Sequence, residues 1–395
     1  MKLCFVLVTR DRTELAMTAI QSLLTQVGCT FDLVVSDNSS SGDGALRLEE
    51  YCRGYSRVRY IRPSQELPMP AHWDWAIEQA MALSDATHFG VQYDRKLWKP
   101  GELRVFTAAC AADPRTTVVY GCDVAFQRPR GVEAWAMPVT GRLYEIRTSA
   151  VVHLTSRGMV HQLGSAYPLL ANCMVPRPAL ERVRARFGTI CDSATPDAGF
   201  TYRLCAVDER YLYLDRASVL AHSYRFSNGF SYVRGDGGGT YGDFRKLWGG
   251  RPWLDAAPIP GLDLGWNIVF HEYTLVQRVM GEERFPPIDR EGYLRDLAYG
   301  LVWIDDPVRQ KEMRRILGEH GWREDAADAR PPLRRLLSRL RGALRRTPPA
   351  PQQQPPVPTF PSDDEAVQYL LQPRPFAEQN LQLAPLEPVE VPFPG

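Results

Sequence analysis

Very little net charge is left on this chain: 47 Lys and Arg against 46 Asp and Glu give +1 over 395 residues. The sequence has no C-x-x-C pair, no paired Cys/His spacing, no H-E-x-x-H, no G-x-x-x-x-G-K-[ST] and no G-x-G-x-x-G after its first strand signal. These absences exclude, in turn, a structural zinc module, a zinc protease of the zincin type, a P-loop enzyme and a dinucleotide-binding Rossmann domain. No apolar run reaches the length that spans a bilayer. The missing excess of positive charge argues against nucleic-acid binding as the main business of the body. The 8 Cys, at 4, 29, 52, 110, 122, 173, 191 and 205, read as reduced and mostly buried thiols of a cytosolic protein. The opening MKLCFVLVTRDR has an apolar stretch too short for a signal peptide, so a cytoplasmic location is expected.

What is present is a globular composition, 44% hydrophobic and 24% charged, long enough for two or three units. The neutral total hides a split. Residues 331 to 346 carry six Arg and no acid, and residues 348 to 395 carry six acids and one Arg, so the first 330 residues balance. Leu3 to Val8 is the continuous apolar run of a strand buried on both faces. Helical spacing over Thr13 to Gln26 follows, then strand signals at Phe31 to Val35, Val58 to Ile61 and His88 to Gln92, with helices over Ala45 to Cys52 and Met69 to Leu83 between them. Such alternation implies right-handed βαβ crossovers and a mainly parallel sheet. Further on, Gly101 to Ala112 reads as a helix, Thr117 to Tyr120 as a strand and Gly141 to Leu154 as one or two strands. Ala179 to Phe187 reads as a helix stopped by Gly188, and Tyr211 to His222 as a strand. Trp73 and Trp75 read as packing residues.

In a parallel α/β sheet, ligands bind beyond the carboxyl ends of the strands. Three such ends are polar here: Thr9-Arg10-Asp11, Asp37-Asn38-Ser39 and Asp94-Arg95-Lys96. On residue type alone, Asp37 serves equally well as a turn or cap residue, Asp94 and Arg95 as a surface ion pair, Asp197 as a helix N-cap and His222 as a structural histidine.

The first 225 residues resemble the inverting glycosyltransferases of family 2, with the GT-A fold. FVLVTRDR looks like that family's opening strand and turn, and DLVVSDNSS is similar to its V-V-D-D-x-S segment. AHWDWAIEQA resembles the helix before its acidic motif, and ATPDAGFTYRL the acceptor-side motif around a catalytic Asp. The resemblance implies a nucleoside-diphosphate sugar as donor and a polysaccharide, lipid-linked or protein acceptor. It places Asp197 as general base and Thr9, Arg10, Asp11, Asp37, Asp94, Arg95, Lys96, His222 and Arg225 around the donor, with Asp94 and His222 as the metal ligands. One departure matters: Arg95 stands where the family has its second Asp, the direct ligand of Mg2+ or Mn2+. Weak metal dependence is therefore expected, with the guanidinium facing the diphosphate instead.

The expected architecture is α/β: a GT-A-type, mainly parallel sheet flanked by helices over 1–225, a Gly-rich mobile loop over 226–261 and a small helical subdomain over 262–329. A basic amphipathic segment over 330–347, suited to an anionic membrane surface, and a disordered Pro-rich acidic tail over 348–395 complete it. The peripheral placement on the inner membrane face follows from that basic segment. The competing function is a non-catalytic GT-A-like binding module whose metal motif has decayed. A nucleotidyltransferase would need a Gly-rich loop after the first strand, which TRDRTE lacks.

Overall fold

The computed structural model describes residues 1–40, 42–128, 131–137, 139–234, 239–304, 306–323 and 357–372. Strand β1 (Leu3–Thr9) is buried throughout, and its side chains alternate between two cores, Cys4, Val6 and Val8 on one face and Leu3, Phe5 and Leu7 on the other. A strand apolar on both faces belongs inside a sheet covered by helices on both sides. The chain then alternates: α1 (Thr13–Leu24), β2 (Phe31–Asp37), α2 (Gly42–Arg53), β3 (Val58–Ile61), α3 (Met69–Leu83) and β4 (His88–Tyr93). β1 pairs in parallel with β2 and β4, and β2 with β3, so the order across this half is 3-2-1-4. The order reverses between β1 and β4, which is the topological switch point where such sheets open a crevice. In register, Thr9 stands opposite Asp37 and Val8 opposite Tyr93, so the polar strand ends line up.

Beyond β4 come β5 (Lys96–Trp98), α4 (Glu102–Ala112), β6 (Val118–Arg128), β7 (Gly131–Trp135), β8 (Leu143–Arg147), α5 (Thr148–Ser156), β9 (Cys173–Pro176), α6 (Arg177–Phe187), α7 (Pro196–Val207) and β10 (Arg210–Ala221). β10 runs parallel to β6 and antiparallel to β5 and β8, while β9 ties β4 to β6. The result is a large α/β sheet, parallel in its first half and mixed beyond, with helices on both faces. Helix α6 ends at Gly188 in the left-handed region at φ +79°, as its sequence predicts.

Three expectations are corrected. The run from 141 to 154 holds one strand, β8, and then helix α5; its buried, β-branched residues Val151, Val152 and Thr155 imitate a strand because a helix buried on most sides shows no clear period. The Gly-rich stretch 226–261 carries α8 (Asn228–Arg234) and α9 (Gly239–Trp248) around a cluster of Tyr232, Tyr241, Phe244, Trp248 and Leu254. Aromatics of that size gain too much from burial to be left in an open loop. A helical region follows, with α10 (Asn267–Met280), α11 (Arg290–Gly300) and α12 (Pro307–Glu319) around a core of their own. Residues 357–372, within the span expected to be a disordered tail, form β11 (Thr359–Phe360) on the edge of β7 and α13 (Asp363–Leu371), which buries Ala366, Val367 and Leu370 in the main core. The basic segment 330–347 and the rest of the tail lie outside the described residues. No described helix is long and apolar enough to cross a membrane.

Candidate active site

At the switch point the ends of β1 and β4 are joined by a side-chain bond. The Thr9 hydroxyl donates to Asp94 Oδ2 at 2.8 Å, and Arg12 approaches Asp94 Oδ1 at 3.4 Å. Asp94 is 1% exposed, so this carboxylate is removed from water and held by those partners. The end of β2 is laced to the same place. Asp11 adopts a left-handed backbone at φ +53°, donates its N–H to Ser39 Oγ at 2.7 Å and accepts the Ser40 N–H at 2.9 Å. Asp37 is fully buried, accepting the Ser39 N–H and the Tyr60 hydroxyl, both at 2.9 Å. Arg10 turns to the rim, where it meets Glu66 at 3.1 Å.

The Asp94-Arg95-Lys96 turn is clamped by the end of β10. The His222 N–H donates to Arg95 O at 3.0 Å, and the Arg95 guanidinium returns a bond to His222 O at 3.2 Å. That guanidinium lies against the rings of Tyr93 and Tyr224, at 4.8 and 5.3 Å, and its buried Nε has no partner among the described residues. His222 shares a bond with Ser223 Oγ through Nδ1 at 2.9 Å, while its buried Nε2 has no partner among the described residues. Burial, then the nearby Arg95, push the His222 pKa down to about 4 against the pull of Asp94 and Asp364, so the ring is neutral at pH 7. Arg225 stands outside this cluster, exposed at the rim, with its guanidinium over Phe226 at 4.8 Å and its charge facing Asp363 of α13.

Asp197 comes in from the opposite wall, on the first turn of α7. Its Oδ1 accepts the Ala171 N–H at 2.9 Å, and the Lys96 ammonium donates to the carbonyl of the same residue. One residue, Ala171, thus joins the carboxylate on α7 to the cation that follows β4. Burial raises the Asp197 pKa, opposed by the Ala171 N–H and by Lys96 and Arg95; burial also lowers that of Lys96. Asp197 is half-buried as a residue.

The predicted residues Thr9, Asp94, Arg95, Lys96, His222 and Asp197 therefore converge, Asp37 and Asp11 shape the adjoining turn, and Arg10 and Arg225 stand at the rim. Arg12, Tyr60 and Asn38 were not singled out from the sequence. Asn38 exchanges two bonds with the backbone of Leu67, at 2.8 and 3.0 Å, and its place directly after Asp37 at a strand end was the available signal. As a metal centre the arrangement fits poorly. The oxygens of Asp94 are engaged by Thr9 and Arg12, the next two residues in the chain are cations, and no group of three or more His, Cys, Asp or Glu suited to a metal occurs among the described residues. The free N–H of the Arg95 guanidinium, next in the chain to the Lys96 ammonium, suits an anion better.

No family model matches the chain, and no curated protein matches it. Similar solved structures include TarS of S. aureus, at 12% identity and a TM-score of 0.44, covering 81% of this chain and 52% of that one, so this chain spans about half its length. They also include TarS 1–349 with UDP-GlcNAc, at 14% identity and a TM-score of 0.44 over 81% of this chain and 87% of that one. TarS 1–349 with UDP is similar at 12% identity and a TM-score of 0.44, over 92% of this chain and 100% of that one.

Proposed function

We propose that this chain is an inverting glycosyltransferase of the GT-A type, akin to family 2, moving a sugar from a nucleoside-diphosphate sugar to a polysaccharide, lipid-linked or protein hydroxyl. The observation that carries this reading is the convergence at Ala171, which sets the carboxylate of Asp197 against the cations that follow β4. Inversion requires a base that takes the acceptor proton as its oxygen attacks the anomeric carbon, and positive groups that receive the departing diphosphate. Asp197 supplies the base; its raised pKa makes it a better proton acceptor than an ordinary carboxylate. Arg95, Lys96 and neutral His222 face the diphosphate, with Arg225 at the entrance, while Thr9, Asp11 and Asp37 shape the nucleoside side and Arg10 its rim.

A metal, if bound through Asp94 and His222, would add charge neutralisation at the diphosphate; the cations already present reduce that need, so weak dependence on Mg2+ or Mn2+ is proposed. The basic segment 330–347 is proposed to rest on an anionic, cytoplasmic membrane surface, where a lipid-linked acceptor would lie.

The competing binding-module reading draws on the bonds that occupy Asp94. A panel of UDP-, GDP- and dTDP-sugars, assayed for release of nucleoside diphosphate and for binding by calorimetry, separates the two. Slow hydrolysis of one donor supports the transferase, binding without turnover supports the module, and neither binding nor turnover overturns both.

A further inference from the structure

The turn that leads into Asp197 is held by Glu272 of α10, 75 residues further along the chain. Glu272 is 1% exposed. Its Oε1 accepts the Thr195 N–H at 2.8 Å, and its other oxygen accepts the Ser193 hydroxyl. Thr195 is the N-cap of α7, yet its own side chain makes no capping bond. The organisation usually supplied by a local cap at a helix start thus comes from a distant helix. Gly199, one turn into α7, completes the fit: a Cβ there would lie 2.9 Å from Glu272 Oε2, closer than real side chains come.

Two more buried charges fasten the residues just before this point. Asp74 of α3 accepts the N–H groups of Ile190 and Cys191 at 2.6 and 2.8 Å. Arg203 of α7 donates to the carbonyl and hydroxyl of Thr189 at 2.9 and 2.8 Å. Burying carboxylates and a guanidinium is unfavourable unless each is paired, and apolar packing would hold a plain loop at lower cost. What such bonds add is a defined position, which a group acting on a reacting atom requires to within a fraction of an ångström.

We infer that Glu272 is a positioning residue for the proposed transfer: it fixes the turn at 193–195, and through it the location of Asp197, from the helical region, with Gly199 kept free of a side chain to admit the carboxylate. This rests on the reading of Asp197 as the base. The helical region is then part of the catalytic apparatus, because α10 carries the residue that sets the base.

The test uses the full chain and the panel sugar nucleotide that the wild type hydrolyses fastest. Glu272→Ala is expected to lower kcat about 10- to 100-fold with donor affinity nearly unchanged, because a small displacement of the base acts on the chemical step alone. Glu272→Gln, which keeps one acceptor and the shape, is expected to recover most of that loss. Gly199→Ala displaces the same carboxylate by a second route, its Cβ meeting Glu272 Oε2, so kcat is expected to fall with donor affinity nearly unchanged; all variants are assayed well below their melting temperatures, so unfolding does not enter the comparison. Equal kcat in Glu272→Ala, or a fall in donor affinity matching the fall in kcat, overturns the inference. Asp197→Asn is run alongside: if it is fully active the base reading fails and this inference with it, whereas an inactive Asp197→Asn beside a fully active Glu272→Ala defeats only the inference.

Discussion

Replacing Glu272 by Gln should make the stability of this protein less sensitive to pH between about 5 and 8. Burial raises the Glu272 carboxyl pKa to about 7 from an ordinary value of 4.5, against the opposing pull of Ser193, the Thr195 amide and Arg203. The charged or titratable groups that face it are Arg203 on α7 and Tyr167 ahead of it. A group whose pKa is higher in the fold than in the unfolded chain stabilises the fold fully below its unfolded value, and that contribution is lost as pH rises through its folded value. The gap between 4.5 and about 7 corresponds to about 3 kcal/mol. Gln mimics the protonated acid at every pH, so it does not carry this loss. The stability of Glu272→Gln relative to wild type should therefore climb by about 3 kcal/mol from pH 4.5 to pH 8, whatever constant offset the amide introduces. Urea titrations of both proteins at four pH values measure it. A difference that stays flat across that range would show that Glu272 titrates as an ordinary carboxyl and that its burial is incomplete.

Asp197→Asn should lower kcat for donor turnover about 100-fold or more while calorimetry shows donor affinity nearly intact; near-normal turnover removes Asp197 as the base. Asp37→Ala should weaken binding of the nucleoside diphosphate and also lower the melting temperature, since it strands the Tyr60 hydroxyl; unchanged affinity would leave Asp37 as a turn residue alone. Treatment with EDTA should leave a substantial part of donor turnover, and complete loss with complete rescue by Mn2+ would mean that the cations after β4 do not replace a metal. Liposome sedimentation of the full chain should require anionic lipid, fall with added salt and disappear when 330–347 is deleted; equal sedimentation of the deleted form ends the membrane proposal.

The parallel half of the sheet was legible because strands buried on both faces must be apolar at every position, and Leu3 to Val8 leaves no other reading. The polar residues that interrupt those runs were legible for the same reason, since Thr9, Asp37 and Asp94 break the pattern where the strands leave the core. Helix α13 was hidden by the prolines around it, although S-x-x-E at 362–365 is the capping-box pattern, and Ser362 caps the helix by accepting the Glu365 N–H at 3.3 Å. Composition averaged over the whole tail masks so short a signal. The role of Glu272 was out of reach for another reason: nothing in HEYTL distinguishes a buried acceptor from a helix-surface acid, and its partners at 193 and 195 become neighbours only when α10 packs on α7.

The pairing of β11 with β7 bears on how this protein can be cut. Sequence composition invites truncation after the helical region, near residue 323, as a way to discard a Pro-rich tail. That cut would remove Phe360, Ala366, Val367 and Leu370 from the main core and leave β7 with unpaired backbone groups along one side. An exposed sheet edge beside a newly uncovered apolar face is a template for strand pairing between molecules. A chain cut at 323 should therefore self-associate, whereas one that keeps residues 357 to 372 should not.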